Sequence, residues 1–205
     1  MSVSIEAVIF DLGGVLIGIE LEELRRHPET EKWAEIIPAI RSRPETQLLN
    51  SGRISPDAFY HLMRERLNLP GDFEEFRRAW CGIFVPRPRM EAWVRCLAER
   101  MPVGLLSDTE PMHWEYLRRR FEFLGVFKRP VLSFEVGAVK PAAVMYRAAA
   151  ESVGVPAERC LFVDDLPENA EGARRAGMQA VVFENIEQAE TALKQVLKLP
   201  AAMKL

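Results

Sequence analysis

The sequence predicts an α/β fold: a doubly wound parallel sheet carrying an inserted helical cap domain. Three observations support this. First, Ala7–Phe10, Val103–Leu106, Pro130–Phe134, Cys160–Val163 and Ala180–Phe183 are short apolar runs ended by turn residues, the pattern of buried strands. Second, amphipathic helical patterns separate the later runs, and strands alternating with helices imply parallel pairing. Third, the stretch from Ile19 to Arg87 has no strand pattern and is rich in prolines and aromatic residues at helical spacing. The expected organisation is therefore a core made of 1–17 and 88–205, with a cap made of 18–87.

In chain order, the Ala7–Phe10 run ends in Asp11-Leu12-Gly13-Gly14-Val15-Leu16, an acid followed closely by two glycines. Ligands bind at the carboxyl ends of strands in open α/β sheets, and glycines let the backbone turn sharply and approach a ligand closely. Beyond Leu16, Pro38, Pro44, Pro56, Pro70 and the Pro86/Pro88 pair are expected to cut the insert into short helices. Ser55-Pro56-Asp57 starts one of them, with Ser as N-cap and Pro at the first helical position. Phe59, Leu62 and Met63, then Phe73, Phe76, Trp80 and Phe84, form helical packing faces. Ser51-Gly52-Arg53 reads as a polar loop, and Arg53 is a candidate substrate-facing cation, set against the plainer reading of a solvated arginine.

The chain returns to the core at Pro86 and Pro88. Met90, Trp93, Val94, Leu97, Ala98 and Met101 mark a helix. The second strand runs into Ser107-Asp108-Thr109, and Pro111 opens a helix whose apolar face is Trp114, Leu117 and Phe121. The third strand leads through Gly137 to Lys140-Pro141, with a helix expected from Pro141 through Met145, Ala149 and Val153. The fourth strand runs into Asp164-Asp165. Ala170, Ala173 and Ala176 line a small-residue helix before the fifth strand, and an amphipathic helix follows it.

Composition narrows the function classes. In 205 residues, 48% are hydrophobic and 28% charged, as in ordinary globular proteins. A net charge of -3 gives no electrostatic footprint for nucleic acid. Cys81, Cys96 and Cys160 are odd in number and widely spaced, which suits a reduced cytoplasmic protein better than a disulfide framework. There is no basic leader, and the first apolar run is too short for a signal sequence or membrane span. The expected partner is a small molecule. Oligomeric state is left open.

The chemistry lies at the strand ends. Asp11 follows the first strand, Ser107 the second, Lys140 lies beyond the third, and Asp164-Asp165 follow the fourth. Parallel pairing lines all of them along one edge. Three carboxylates gathered there repel by roughly 3–4 kcal/mol per pair at an effective dielectric near 20. One lysine does not relieve that repulsion, whereas a divalent cation does, and a donor set of hard oxygens suits Mg²⁺. A hydroxyl, a lysine and Mg²⁺ together form a site for a phosphoryl group.

These motifs resemble those of the haloacid dehalogenase superfamily along nearly the whole chain. FDLGGVL is similar to the family's first motif, LLSDTE to the second, the KP of GAVKP to the third, and FVDD to the fourth. The resemblance implies that Asp11 is a nucleophile forming an aspartyl-phosphate, and that Ser107 and Lys140 are its catalytic partners. It implies that the Gly13 carbonyl helps hold Mg²⁺, with Asp165 binding the metal directly and Asp164 through water. Substrate contacts are expected from Ser107, Asp108, His113 and Arg53. The expected activity is Mg²⁺-dependent hydrolysis of a small phosphorylated metabolite, and a sugar-phosphate phosphatase branch is the weaker association of FDLGGVL and His113.

Two positions depart from the family pattern. Gly13 stands where its phosphatases usually carry a second Asp serving as general acid and base, and Asp108 stands where Asn is usual. They keep alive a rival reading, a catalytically weak phosphometabolite-binding or interaction protein. The family's dehalogenases need no metal and lack the acidic pair of the fourth motif, so Asp164-Asp165 argue against that rival. Receiver domains present their acidic pair first and carry no helical insert.

Overall fold

The computed structural model describes residues 4–200. The chain begins with β1 (Ala7–Phe10) and β2 (Ile17–Ile19). Five helices follow: α1 (Glu22–Arg25), α2 (Trp33–Arg41), α3 (Glu45–Asn50), α4 (Pro56–Leu67) and α5 (Phe73–Cys81). Next come β3 (Phe84–Pro86), α6 (Pro88–Ala98), β4 (Val103–Ser107) and α7 (Pro111–Arg120). The remainder is β5 (Val131–Leu132), α8 (Ser133–Val136), α9 (Ala143–Val153), β6 (Cys160–Asp164), α10 (Pro167–Arg175), β7 (Gln179–Val182) and α11 (Ile186–Val196). Among the described residues, no helix is long and apolar enough to cross a membrane.

The main sheet has the order β5-β4-β1-β6-β7, with every neighbouring pair parallel. β1 lies at its centre, with Phe10 paired to Leu105 on one side and Val163 on the other. All four β1 residues are fully buried, and their side chains alternate between two cores. Val8 and Phe10 join the large cluster that continues into the insert. Ala7 and Ile9 face the opposite cluster, with Met145, Tyr146 and Ala149 of α9. Helices thus cover both faces, as the unbroken apolar strands require.

Within the insert, the aromatic faces pack on one another. Phe76 lies 5.4 Å from Tyr60, 5.5 Å from Trp80 and 5.9 Å from Trp33, joining α2, α4 and α5. Such pairs add about 0.5–1.5 kcal/mol each beyond the area they bury. Ser55 caps α4 by accepting the Ala58 N–H at 3.2 Å, a contact worth about 1 kcal/mol.

Four local expectations need correction. β2 and β3 form an antiparallel pair, Ile17 against Pro86 and Ile19 against Phe84. Each strand is only three residues long, too short to show a period, and each finds its partner far along the chain. Phe84 therefore belongs to a strand and not to the helical stripe of α5. Pro38 sits inside α2 as the sixth of its nine residues, on the exposed face, where the missing N–H removes a single helical bond. The third strand pairs only through Val131 and Leu132 before α8 begins, because Ser133 turns its hydroxyl to the Thr109 backbone. The helix expected from Pro141 begins at Ala143, since the Lys140 N–H bonds to Asp108 in the turn before it.

Candidate active site

Asp11 continues the β1 ladder through its N–H to the Val163 carbonyl at 2.9 Å, which fixes its carboxylate at the sheet edge. Lys140 arrives from the turn before α9. Its Nζ donates to Asp11 Oδ1 and to Asp164 Oδ2, both at 2.6 Å, and the ammonium is almost wholly buried. Asp164 ends β6 and is fully buried. Its Oδ1 accepts the Leu166 N–H at 2.9 Å and Asn169 Nδ2 at 3.0 Å. Asp165 is partly exposed. One oxygen from each of Asp11, Asp164 and Asp165 lies within 4.8 Å of the others.

Gly14 makes that approach possible. Its φ is +85°, and a Cβ there would stand 2.4 Å from Asp165 Oδ2. Both facts require glycine. Among the described residues, nothing donates a hydrogen bond to the Gly13 carbonyl. The Gly13-Gly14 turn is held from behind by Arg87, which follows β3. Its guanidinium donates to the Gly14 carbonyl and, at 3.3 Å, to the Val15 carbonyl, while lying 5.1 Å above the Phe183 ring.

The electrostatics of this cluster favour a cation among its oxygens. Burial pushes the Asp11 carboxyl up to about 7, Lys140 opposes the rise, and Asp164 and Asp165 add to it. Burial likewise raises Asp108 and Asp165. Burial pulls on Lys140 in the other direction, but the Asp11, Asp164 and Asp108 carboxylates outweigh it and hold the ammonium well above its usual range. Were all three carboxylates ionised, one ammonium would leave two charges uncompensated. A divalent cation among those oxygens and the free carbonyl fits the donors present.

A cavity of about 170 Å³ opens beside this cluster, where Leu12, Gly13 and Asp108 line it. Ser107, at the end of β4, lines it with a hydroxyl that has no protein partner among the described residues. Asp108 also lines it, but both its oxygens accept the Lys140 N–H, at 3.0 and 3.2 Å. The roof comes from the insert: Arg41 at the end of α2, Asn50 at the end of α3, and Trp80 on α5.

His113 reaches the cavity wall, yet both ring nitrogens face protein. Nε2 lies 2.9 Å from the Trp80 carbonyl and Nδ1 3.4 Å from Glu110 Oε1. The ring stacks on Trp80 with centroids 5.1 Å apart. Burial lowers its pKa, with Glu110 opposing, so neutral imidazole is favoured. Glu110 is fully buried and caps α7, accepting the Met112 and His113 N–H groups at 2.8 Å and Trp80 Nε1 at 3.2 Å. A second seam joins insert and core where Ser133 Oγ donates to the Asn50 carbonyl at 2.5 Å.

The structure therefore brings Asp11, Gly13, Ser107, Asp108, His113, Lys140, Asp164 and Asp165 together around one floor and wall. Arg53 stands apart, exposed on its loop and outside the cavity lining. Sequence reasoning missed Arg41, Arg87, Glu110 and Asn169. For Asn169 a signal existed: a polar side chain in the first turn of a small-residue helix, just after the acidic pair.

Comparison with known proteins adds to this geometry. Residues 5–177 match the haloacid dehalogenase-like hydrolases. The chain is similar to a phosphatase of Mycobacterium tuberculosis, Phosphatase MT3486, at 45% identity over 204 residues, covering 88% of each chain. Its fold is similar to that of a predicted HAD-like family hydrolase of Porphyromonas gingivalis, with a TM-score of 0.79, 25% identity, and coverage of 95% of this chain and 98% of the other. A HAD family enzyme of Bacteroides thetaiotaomicron, solved as a magnesium complex, superposes with a TM-score of 0.76 at 24% identity over 87% of this chain and 93% of its own.

Proposed function

The chain belongs to the haloacid dehalogenase-like hydrolases, and from that premise we propose that it is a Mg²⁺-dependent phosphatase of a small phosphorylated metabolite. The observation that carries this reading is the buried Lys140 ammonium bridging Asp11 and Asp164, with Asp165 close enough to complete a cation site. The resemblance to a phosphatase at 45% identity supports the choice of reaction.

Asp11 is the nucleophile. Its carboxylate attacks phosphorus, the P–O bond to the leaving group breaks, and the phosphoryl group is carried as an acyl phosphate. The departing oxygen takes a proton from water. A second water then attacks the phosphorus, releasing phosphate and restoring Asp11. Lys140 keeps Asp11 oriented and offsets its charge, and the Ser107 hydroxyl, free of protein partners, donates to a phosphoryl oxygen.

Asp11, Asp165 and the Gly13 carbonyl would hold Mg²⁺, with Asp164 reaching it through water because its own oxygens are already engaged by Lys140, Leu166 and Asn169. Bound there, the ion supplies positive charge against the phosphoryl oxygens. The insert 18–87 acts as a cap over the core formed by 1–17 and 88–205, excluding water from the floor. His113 holds that cap in place and is not the source of the leaving-group proton.

Phosphate release from p-nitrophenyl phosphate and a panel of phosphorylated metabolites tests the proposal. Activity should vanish in EDTA, return with Mg²⁺, and be absent in Asp11→Asn that folds normally. Release that persists in EDTA sinks the metal-dependent reaction. Gly13, which offers no general acid, favours the rival of a phosphometabolite-binding protein, and a panel that is bound but not hydrolysed would establish it.

A further inference from the structure

The cavity roof carries a cation that no carboxylate among the described residues pairs with. Arg41 lines the cavity, and among the described residues its side chain makes neither an ion pair nor a hydrogen bond. Most arginines that the structure pairs do so with surface carboxylates, as Arg25 does with Glu22 and Glu35 and Arg89 with Glu187 and Glu190. Arg41 has no such neighbour; the residue as a whole is exposed and at the same time lines the cavity. Loss of solvent lowers its pKa, and an arginine nevertheless stays charged. An unpaired guanidinium that lines a cavity is available to an acceptor that a ligand supplies.

Position decides which part of the ligand that is. The floor, with Ser107, Lys140 and the acidic cluster, takes the phosphoryl group. Arg41 comes from α2 of the insert and lines the same cavity as Ser107, which places it to meet what the phosphate is attached to. Asn50 stands beside it with a second polar group, whereas the neighbouring Thr46 hydroxyl is turned back to the Ile40 carbonyl at 2.8 Å. His113 is the titratable group that senses Arg41, and its nitrogens are already engaged with Trp80 and Glu110. Between floor and roof, Ile19, Phe84 and Leu117 offer an apolar wall for a carbon skeleton. A cavity of about 170 Å³ holds only a short one, since pockets for drug-sized ligands begin at roughly 300 Å³.

We propose that Arg41 determines specificity, selecting a phosphomonoester whose short leaving group carries a carboxylate, with the guanidinium and Asn50 holding that carboxylate away from the acidic floor. The proposal rests on the phosphatase reading for the identity of the floor ligand.

The test uses a matched pair, 3-(phosphonooxy)propanoate and its primary amide, which differ in charge but hardly in size. Wild type should favour the carboxylate in kcat/KM, and Arg41→Gln should reduce the carboxylate-to-amide ratio by about 10- to 100-fold, mainly through KM. Arg41→Lys should recover part of the ratio, because it restores charge without the planar fork. An unchanged ratio in Arg41→Gln overturns the proposal: equal losses on both compounds place the guanidinium on the phosphoryl group, and no loss places it in solvent. Mg²⁺-dependent release from p-nitrophenyl phosphate by wild type checks the phosphatase reading separately. If that release is absent, calorimetric binding of the pair to wild type and Arg41→Gln still decides. Selectivity for the carboxylate that the variant loses supports the proposal, and equal binding refutes it.

Discussion

The Asp108 carboxylate receives the Lys140 backbone N–H on both oxygens, at 3.0 and 3.2 Å, tying the turn that delivers this buried lysine to the end of β4. An acid beside an anion site reads as a handicap in the sequence. In the folded protein its charge is turned toward Lys140, which explains why a carboxylate is tolerated there.

Asp108→Ala should therefore lower kcat by about tenfold, the value of one charge-assisted hydrogen bond of roughly 1.4 kcal/mol. Asp108→Asn keeps an acceptor oxygen and should stay within about threefold of wild type. Steady-state kinetics at saturating Mg²⁺ separate the two. Equal losses would mean that the charge itself, not the tether, is what the site needs.

Metal affinity should depend on pH through Asp11. Its pKa, raised by burial to about 7, means that the metal-free protein holds a proton there which a cation must displace. Mg²⁺ affinity should rise about tenfold per pH unit below 7 and level off above it, and calorimetry in buffers of different ionisation enthalpy should detect the released proton. Linkage gives the companion sign. A folded pKa above the unfolded value of 3.8 makes the folded state bind more protons between about 4 and 7, so Asp11 lowers metal-free stability as pH rises through that window. Asp11→Asn should remove both effects.

Gly13 and Gly14 should respond differently to substitution. A Cβ at Gly13 meets only the flexible tip of Ile19, at 3.0 Å, and Gly13 lines the cavity. Gly13→Asp should thus fold and place a carboxyl where a leaving oxygen needs a proton. The contribution of a placed acid, typically 10²–10⁴-fold, should appear selectively on alkyl phosphates and narrow the gap to aryl phosphates. At Gly14 a Cβ collides with the Asp165 carboxylate in a left-handed turn. Gly14→Ala should weaken Mg²⁺ binding at least tenfold by displacing Asp165, read by calorimetry on the folded variant.

Glu110 should matter for stability more than its position outside the reaction suggests. It satisfies two backbone N–H groups of α7 and the Trp80 indole in a fully buried setting. Glu110→Ala loses the cap and strands three donors, a cost of about 3 kcal/mol or more. Urea denaturation should show that loss, with Glu110→Gln milder because it retains an acceptor. His113, held neutral by burial, adds a pH dependence of its own. Its folded pKa lies below the unfolded 6.5, so its contribution is present above that value and lost as the pH falls below it.

The parts that could be read from the sequence were those that topology alone determines. Asp11, Ser107, Lys140 and Asp164 follow apolar runs, and parallel pairing leaves such positions no choice but to share an edge. Arg41 and Arg53 show where that logic ends. Both belong to polar stretches of the insert, and which one faces the cavity depends on how the insert docks. Gly52 lies so close to the Phe134 carbonyl that a Cβ would be 2.4 Å from it, and the loop leaves Arg53 outside. The β2–β3 pair escaped notice because three residues cannot display a period and their partners lie far along the chain. Glu110 reads as a surface acid before a proline, and only its cap bonds and Trp80 reveal it as interior.

Ile17–Ile19 and Phe84–Pro86 are the two tethers of the insert, and because they are hydrogen-bonded to each other they share one ladder. Neither can stretch or twist alone. The insert is consequently a lever with a single hinge line, and its freedom to swing is limited by the seams at Trp80–Glu110 and Asn50–Ser133 rather than by slack in the tethers. Arg87 sits at the fulcrum, one residue past β3 with its guanidinium on the Gly14 and Val15 carbonyls. Arg87 thus couples the base of the insert directly to the Gly13-Gly14 turn beside the acidic cluster.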